Sequence, residues 1–144
     1  MTKKKPKEYL AFLLYLDCMP KKEGNFSEID FFNFYKNKNI KVFCDHHGIA
    51  IASYIKDECE IYFLGVKNNH RRLGHGTKIL KDLIISSKAL GIRKIFLEVN
   101  VTNEEALKLY TKIGFKSLGI RKDYYKNSSN SFDDAIIMEL ILSY

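Results

Sequence analysis

The chain of 144 residues predicts an α/β fold built on a mixed sheet. Three observations point there. The stretch from Ile40 to Val66 is dense in β-branched and aromatic residues and is punctuated by polar residues at His46–Gly48 and Lys56–Glu58. Segments with apolar residues at helical spacing flank and interleave the strand-like runs that follow. Only two prolines occur, Pro6 and Pro20, so nothing interrupts the elements beyond them.

Taken in order, "YLAFLLYL" reads as a buried first helix behind a solvated basic head, "KKKPK". Glu8 and Asp17 flank it, and it is too short to span a bilayer. A second helix follows, with Ile29, Phe31, Phe32 and Tyr35 at helical spacing and Ser27 as N-cap. Three strands joined by tight turns fill Ile40 to Val66. The next helix carries Ile79, Leu80, Leu83 and Ile84 on one face and stops at Gly91. "IRKIFLEV" reads as a strand. Thr102 and Glu105 are spaced as a capping box for a helix whose Ala106, Leu109, Tyr110 and Ile113 share a face, with Gly114 ending it. "FKSLGIRKDYY" and "DDAIIMELIL" are the last two strands, separated by the polar turn "KNSSNSF". The order is ααβββαβαββ.

A net charge of +7 favours contact with something acidic, from nucleic acid or a membrane surface to a polyphosphate. Cys18, Cys44 and Cys59 are widely spaced and lack any C-x-x-C pairing, which implies reduced thiols in the cytoplasm rather than disulfides or a zinc site. No metal is expected, because His46 and His47 are neighbours that a strand would point to opposite faces and that read better as a turn. His70 and His75 stand beside a basic loop, where phosphate or solvent are both plausible neighbours.

That loop, "RRLGHGTKI", holds the sharpest signal. A P-loop is excluded, since Thr77 separates Gly76 from Lys78. The dinucleotide fingerprint finds Gly74 and Gly76, and Glu98 at the distance of a ribose-binding acid, but Ile79 replaces its third glycine. The pattern R/Q-x-x-G-x-G/A is met in full by Arg71, Arg72, Leu73, Gly74, His75 and Gly76. Its glycines allow close backbone approach, its N–H groups form a concave nest, and the following helix points its positive end at an anion. An ordinary glycine turn before a helix is the plain alternative.

"RRLGHG", "LEVNVTNEEALKLYTKIGF", "IRKDYY" and "DDAIIMEL" resemble the GNAT acetyltransferases, and within them the RimI-type enzymes that acetylate the N-terminal alanine of a small-subunit ribosomal protein. The likeness runs from about Glu60 to Leu142, leaving residues 1–39 as a divergent helical part of one domain over 1–144. It implies an acyl-CoA N-acyltransferase fold with a central mixed, mostly antiparallel twisted sheet flanked by helices. It also implies acetyl-CoA as cosubstrate, with the backbone of Leu64, Gly65 and Val66 along the pantetheine and Arg71, Arg72 and the N–H groups from Arg72 to Thr77 around the pyrophosphate. Asn103, which alone reads as a helix cap, matches a cofactor contact. Glu98, at the end of its strand, takes the position of the catalytic base acting through water. Tyr110, which the helical stripe alone would assign to the core, takes that of the general acid. Tyr124 and Tyr125 fall near the acceptor groove.

An acceptor protein N-terminus, with a ribosomal protein among the candidates, is the implied partner; no membrane and no stable nucleic-acid complex are expected, because the arginines cluster at the glycine loop. A GNAT enzyme acting on a lysine or small amine, and a non-catalytic CoA or nucleic-acid binding module, are the alternatives.

Overall fold

The computed structural model describes residues 7–19 and 27–144. The basic head up to Pro6, and Pro20, lie outside the described residues. Two helices, α1 (Lys7–Cys18) and α2 (Glu28–Lys36), precede three strands, β1 (Ile40–Cys44), β2 (Gly48–Ile55) and β3 (Glu58–Val66). A 3-10 turn at Asn68–His70 leads to α3 (His75–Ala89), β4 (Lys94–Asn100), α4 (Glu104–Ile113), β5 (Lys116–Lys126) and β6 (Phe132–Ile141). The order expected from the sequence is thus the order observed. Ser27 caps α2 as anticipated, its side-chain oxygen accepting from the Asp30 N–H at 3.1 Å.

One expectation is corrected. The N-cap of α4 is Asn103, whose Oδ1 accepts from the Ala106 N–H at 3.2 Å. Thr102 instead turns its hydroxyl back to donate to Asn100 Oδ1 at 2.9 Å, and Glu105 leaves the box to pair with Arg72. Asn caps a helix at least as well as Thr, so the cap moves one residue along while Glu105 is drawn to a cation elsewhere.

The six strands run in the order β1-β2-β3-β4-β6-β5. All neighbours are antiparallel except β3 and β4, whose parallel pairing needs a crossover that α3 supplies. Period-two alternation then sorts side chains by face. Ala50, Ala52, Cys59, Ile61, Ile95, Leu97, Val99 and Met138 join Ile79, Leu80 and Leu83 of α3 and Tyr110 of α4 in one core cluster. Ile49 and Ile51 point the other way, into a smaller cluster with Ala11, Phe12 and Tyr15 of α1 and Phe31 of α2. The two helix pairs therefore cover opposite faces, and α1 and α2 cover only the β1 to β3 end of theirs. No helix among the described residues is long and apolar enough to cross a membrane.

The feature that positions the site is an irregularity in β3. Ile51 faces Phe63 but Ala52 faces Ile61, so Tyr62 is an extra residue in β3 with no partner opposite it. Pairing with β4 ends at the same level, at Ile61 and Leu97, whereas β4 stays paired to β6 as far as Asn100. Beyond the bulge β3 and β4 part, leaving an opening between Phe63–Val66 and Glu98–Asn100.

Leu83, wholly buried in the larger cluster, holds α3 and hence the loop before it against the sheet. Leu83→Ala is expected to destabilise the fold by about 3 kcal/mol, read as a lower urea midpoint at an unchanged denaturant slope.

Candidate active site

A cleft of about 570 Å³ occupies the mouth of this opening. One wall is the end of β3, at Leu64, Gly65 and Val66; the second is the loop and first turn of α3, with Arg71, Arg72, Gly74, His75, Gly76 and Thr77; the third is α4, with Asn103 and Tyr110. Of the residues marked in the sequence, Leu73 and Glu98 are outside these walls. Leu73 turns its side chain to solvent at 68% exposure. Glu98 lies in a separate groove on the other face of the sheet.

The loop is shaped to receive an anion. Gly74 adopts φ 87°, a left-handed conformation open to glycine at no steric cost, and brings no side-chain acceptor to cap the helix. The first helical bond comes only at Lys78 N to Gly74 O, so the amides of the preceding turn lack the carbonyl a longer helix would give them. At Gly76 a Cβ would project to 3.5 Å from Leu109 Cδ2 and 3.6 Å from Val66 Cγ2, narrowing the space between the walls. Free amide donors, a helix dipole and two guanidinium groups together fit a pyrophosphate, and β3 beyond its bulge offers a strand edge that an amide-bearing arm can line. The cleft therefore suits a ligand with a pyrophosphate and an amide-bearing arm. Across its mouth Arg72 meets Glu105 at 2.7 Å, while Arg71 Nε donates to the Val66 carbonyl at 3.3 Å.

A cluster of imidazoles flanks the loop. His47, in the β1–β2 turn, stacks on His70 with ring centroids 4.1 Å apart and approaches His75 at 4.4 Å. The Nδ1 atoms of His47 and His70 are buried without a hydrogen-bond partner among the described residues. Among the described residues no group of three or more His, Cys, Asp or Glu is disposed to hold a metal. Desolvation, then the proximity of His70 and His75, depresses the His47 pKa. Sequence reading marked His70 and His75 but not their convergence with His47, which depends on the turn folding back over the loop.

Tyr110 and Glu98 approach the opening from opposite faces. Tyr110, 7% exposed, sits in the α4-side core against the Phe115 ring, yet it reaches the cleft wall. Burial raises its phenol far above the usual value, so it stays protonated at neutral pH. Glu98, on the opposite face, is 19% exposed and forms an ion pair with Arg121 of β5 at 2.9 Å. Tyr124 stacks against the Arg121 guanidinium at 5.0 Å, and the Tyr125 hydroxyl donates to the Glu98 carbonyl at 3.2 Å. The Glu98 carboxylate is thus half-buried and held by a guanidinium, while the Tyr125 phenol anchors the same residue through its backbone. Arg121 was the member of this group that sequence reading did not single out, although it lies within the quoted "IRKDYY".

Comparison with known proteins now fits this geometry. The Acetyltransferase (GNAT) family matches residues 14–115. The chain belongs to that family. It is 38% identical to the ribosomal protein bS18-alanine N-acetyltransferase of Haemophilus ducreyi over 65% of this chain and 64% of that protein, so the match spans somewhat under two thirds of the relative. A Salmonella typhimurium protein of the same name is 33% identical over 73% of this chain and 72% of its own length. The crystal structure of an Escherichia coli ribosomal-protein-alanine N-acetyltransferase superposes with a TM-score of 0.84 at 24% identity, covering 100% of this chain and 93% of that one. This last likeness establishes the shared GNAT fold.

Three phenols, Tyr110 buried and Tyr54 and Tyr125 half-buried, give the acetyltransferase fold an alkaline limit. Burial first, then Tyr124 and Glu98, pushes the Tyr125 phenol up to about 12, and burial raises those of Tyr54 and Tyr110 further. A folded-state pKa above the unfolded value contributes stability that is complete below the ordinary 10.0 and is lost as pH rises through the folded value. Urea midpoints should therefore decline above roughly pH 10, and Tyr125→Phe should make that decline shallower.

Proposed function

We propose that this protein transfers the acetyl group of acetyl-CoA to the N-terminal α-amine of a protein in the cytoplasm, with the N-terminal alanine of a small-subunit ribosomal protein as the leading acceptor. The observation that carries the reading is the pairing of a donor-lined cleft with a carboxylate reaching the same opening from the opposite face of the sheet. The names of the relatives at 33–38% identity supply the acceptor class.

Acetyl-CoA, when bound, supplies an acetyl thioester and a thiolate leaving group. On this reading the amides from Arg72 to Thr77, with Arg71 and Arg72, hold its pyrophosphate. Leu64, Gly65 and Val66 present backbone groups to the pantetheine arm, one N–H polarising the thioester carbonyl. Leu73 contributes through its backbone alone, and Asn103 adds a contact at the start of α4.

Glu98 accepts the proton that an incoming ammonium must lose, through water, and Arg121 keeps its carboxylate oriented. Tyr110 holds a proton on its hydroxyl at the inner end of the cleft, where the departing sulfur requires one; its raised pKa ensures the proton is present. An α-amine, with a pKa near 7.7–8.0, is neutral at pH 7 some hundredfold more often than a lysine near 10.4, so a single modest base suits the N-terminal acceptor.

Incubation with acetyl-CoA and an alanine-initiated peptide carrying one internal lysine, followed by fragment mass spectrometry, tests the assignment. Acetyl on the α-amine is the expected product; acetyl on lysine alone contradicts it. Glu98→Gln and Tyr110→Phe should each lower kcat by about 10²–10⁴-fold while acetyl-CoA affinity measured by calorimetry stays close to that of the unaltered protein.

A further inference from the structure

Three imidazoles meet beside the glycine loop, and the backbone holds them there. His47 is fixed from both sides: its N–H and that of Gly48 donate to Asp45 Oδ1 at 2.7 and 2.9 Å, and its carbonyl accepts from the Lys67 N–H at 2.7 Å. A Cβ at Gly48 would stand 2.7 Å from Ile79 Cδ1 and 2.9 Å from the Gly65 carbonyl oxygen, so this turn lies flush against α3 and β3. The His47 ring is thereby kept against His70, 4.1 Å away and nearly parallel at 19°, and against His75 at 4.4 Å. His70 and His75 line the cleft.

Packing alone does not call for imidazole in this place. A leucine or phenylalanine would fill the space with no polar atom, whereas His47 and His70 each bury an Nδ1 that has no hydrogen-bond partner among the described residues. A neutral imidazole has one donor and one acceptor nitrogen, and an imidazolium has two donors. An Nδ1–H in either ring would be a buried donor without an acceptor, which favours the neutral ring with its proton on Nε2 as long as no anion is near.

The surrounding charge acts in the same direction. Two imidazolium rings 4.1 Å apart repel, and Lys67, Arg71, Arg72, Lys78 of α3 and Lys108 of α4 already stand around the loop. The acids nearby are engaged: Asp45 with two amides, Asp17 of α1 with Lys67 at 3.9 Å, and Glu105 of α4 with Arg72 at 2.7 Å. Burial pushes the Cys18 thiol, at the end of α1, up to about 11, which leaves it uncharged. The fourth histidine, His46, is exposed and its ring lies 6.4 Å from that of His47.

A polyphosphate reverses the balance, because it brings several negative charges to the wall that His70 and His75 help to form. Resting on the acetyl-CoA reading given above, we propose that the cluster of His47, His70 and His75 takes up a proton as the anion enters the cleft, linking cofactor affinity to pH through these imidazoles. The proton belongs on His70 or His75, and His47 is a positioning residue, neutral and packed against both. A proton gained on binding makes affinity rise as pH falls through the imidazole range, from about 7.5 to about 6, and that gain is lost at higher pH.

Calorimetry of acetyl-CoA binding at about pH 6.5, in two buffers of different ionisation enthalpy, counts the protons. Relative to a variant carrying His70→Phe and His75→Leu, the unaltered protein should take up about half a proton more per acetyl-CoA, and its affinity should gain about threefold more between about pH 7.5 and 6. The cofactor's own phosphomonoester, with a pKa near 6, contributes equally to both proteins and cancels. Thermal unfolding verifies the fold of the variant. Independently of any variant, the carbon-bound imidazole signals of His70 or His75 should move toward imidazolium positions in NMR at saturating acetyl-CoA, while those of His46 stay in place. Equal proton counts in the two proteins, or His70 and His75 signals that both remain neutral at saturation, would overturn the inference and leave acetyl-CoA binding standing. Failure of the unaltered protein to bind acetyl-CoA would remove the acetyl-transfer reading and this inference with it.

Discussion

Where β3 leaves β4 determines everything else about this molecule's chemistry. Antiparallel pairing holds β4 to β6 along its whole length, and β3 to β2 on its other edge, so both strands are anchored while the gap between them opens. The extra residue Tyr62 makes that parting abrupt rather than gradual. Without it the parallel ladder could continue past Leu97, the edge of β3 would be consumed in pairing, and Glu98 and Tyr110 would be screened from each other by a closed sheet. The bulge is accommodated because its neighbours pack well on both faces. Phe63 just after it meets the Tyr15 ring at 5.1 Å on the α1 side, while Ile61 just before it lies in the α3 and α4 core.

Around the opening, charge is divided rather than spread. The loop before α3 gathers Arg71, Arg72 and free amides toward one mouth, while the opposite face gathers carboxylates about Glu98. The net positive charge therefore describes the mouth at the glycine loop and misdescribes the carboxylate-lined face opposite it. Arg121 mediates between the two regimes: it pairs with the Glu98 carboxylate at 2.9 Å and leaves Glu60 beyond ion-pair reach. Exposed pairs such as Arg72 with Glu105 add little to stability and are better understood as setting the position of the cleft walls.

The element order was legible because each helix carries a clear apolar face and each strand a β-branched run, so local pattern and tertiary packing agree. Gly91 and Gly114, at φ 76° and 119°, stop their helices where the sequence placed the stops. The glycine loop was legible as an anion-binding shape for the same reason: its conformation is demanded locally. The positions of Glu98 and Tyr110 owed more to resemblance, since a strand-end Glu and a helical Tyr each have an ordinary structural explanation. What escaped was non-local. Tyr62 looks like any strand residue, the Glu98–Arg121 pair joins two strands that β6 separates in the sheet, and the stacking of His47 on His70 requires a turn to fold over a distant loop. The Thr102 capping box failed for a smaller reason, a competent Asn one residue later.

The most direct test of the account is amide-resolved NMR of the protein titrated with acetyl-CoA. It predicts that the amides of Val66 and of Gly74 to Thr77 shift and gain exchange protection together, while those along the β5–β6 hairpin turn stay as they were. Acetyl-CoA that binds without perturbing Val66 and the start of α3 would place the ligand elsewhere, and the opening between β3 and β4 would then not be the site of the chemistry.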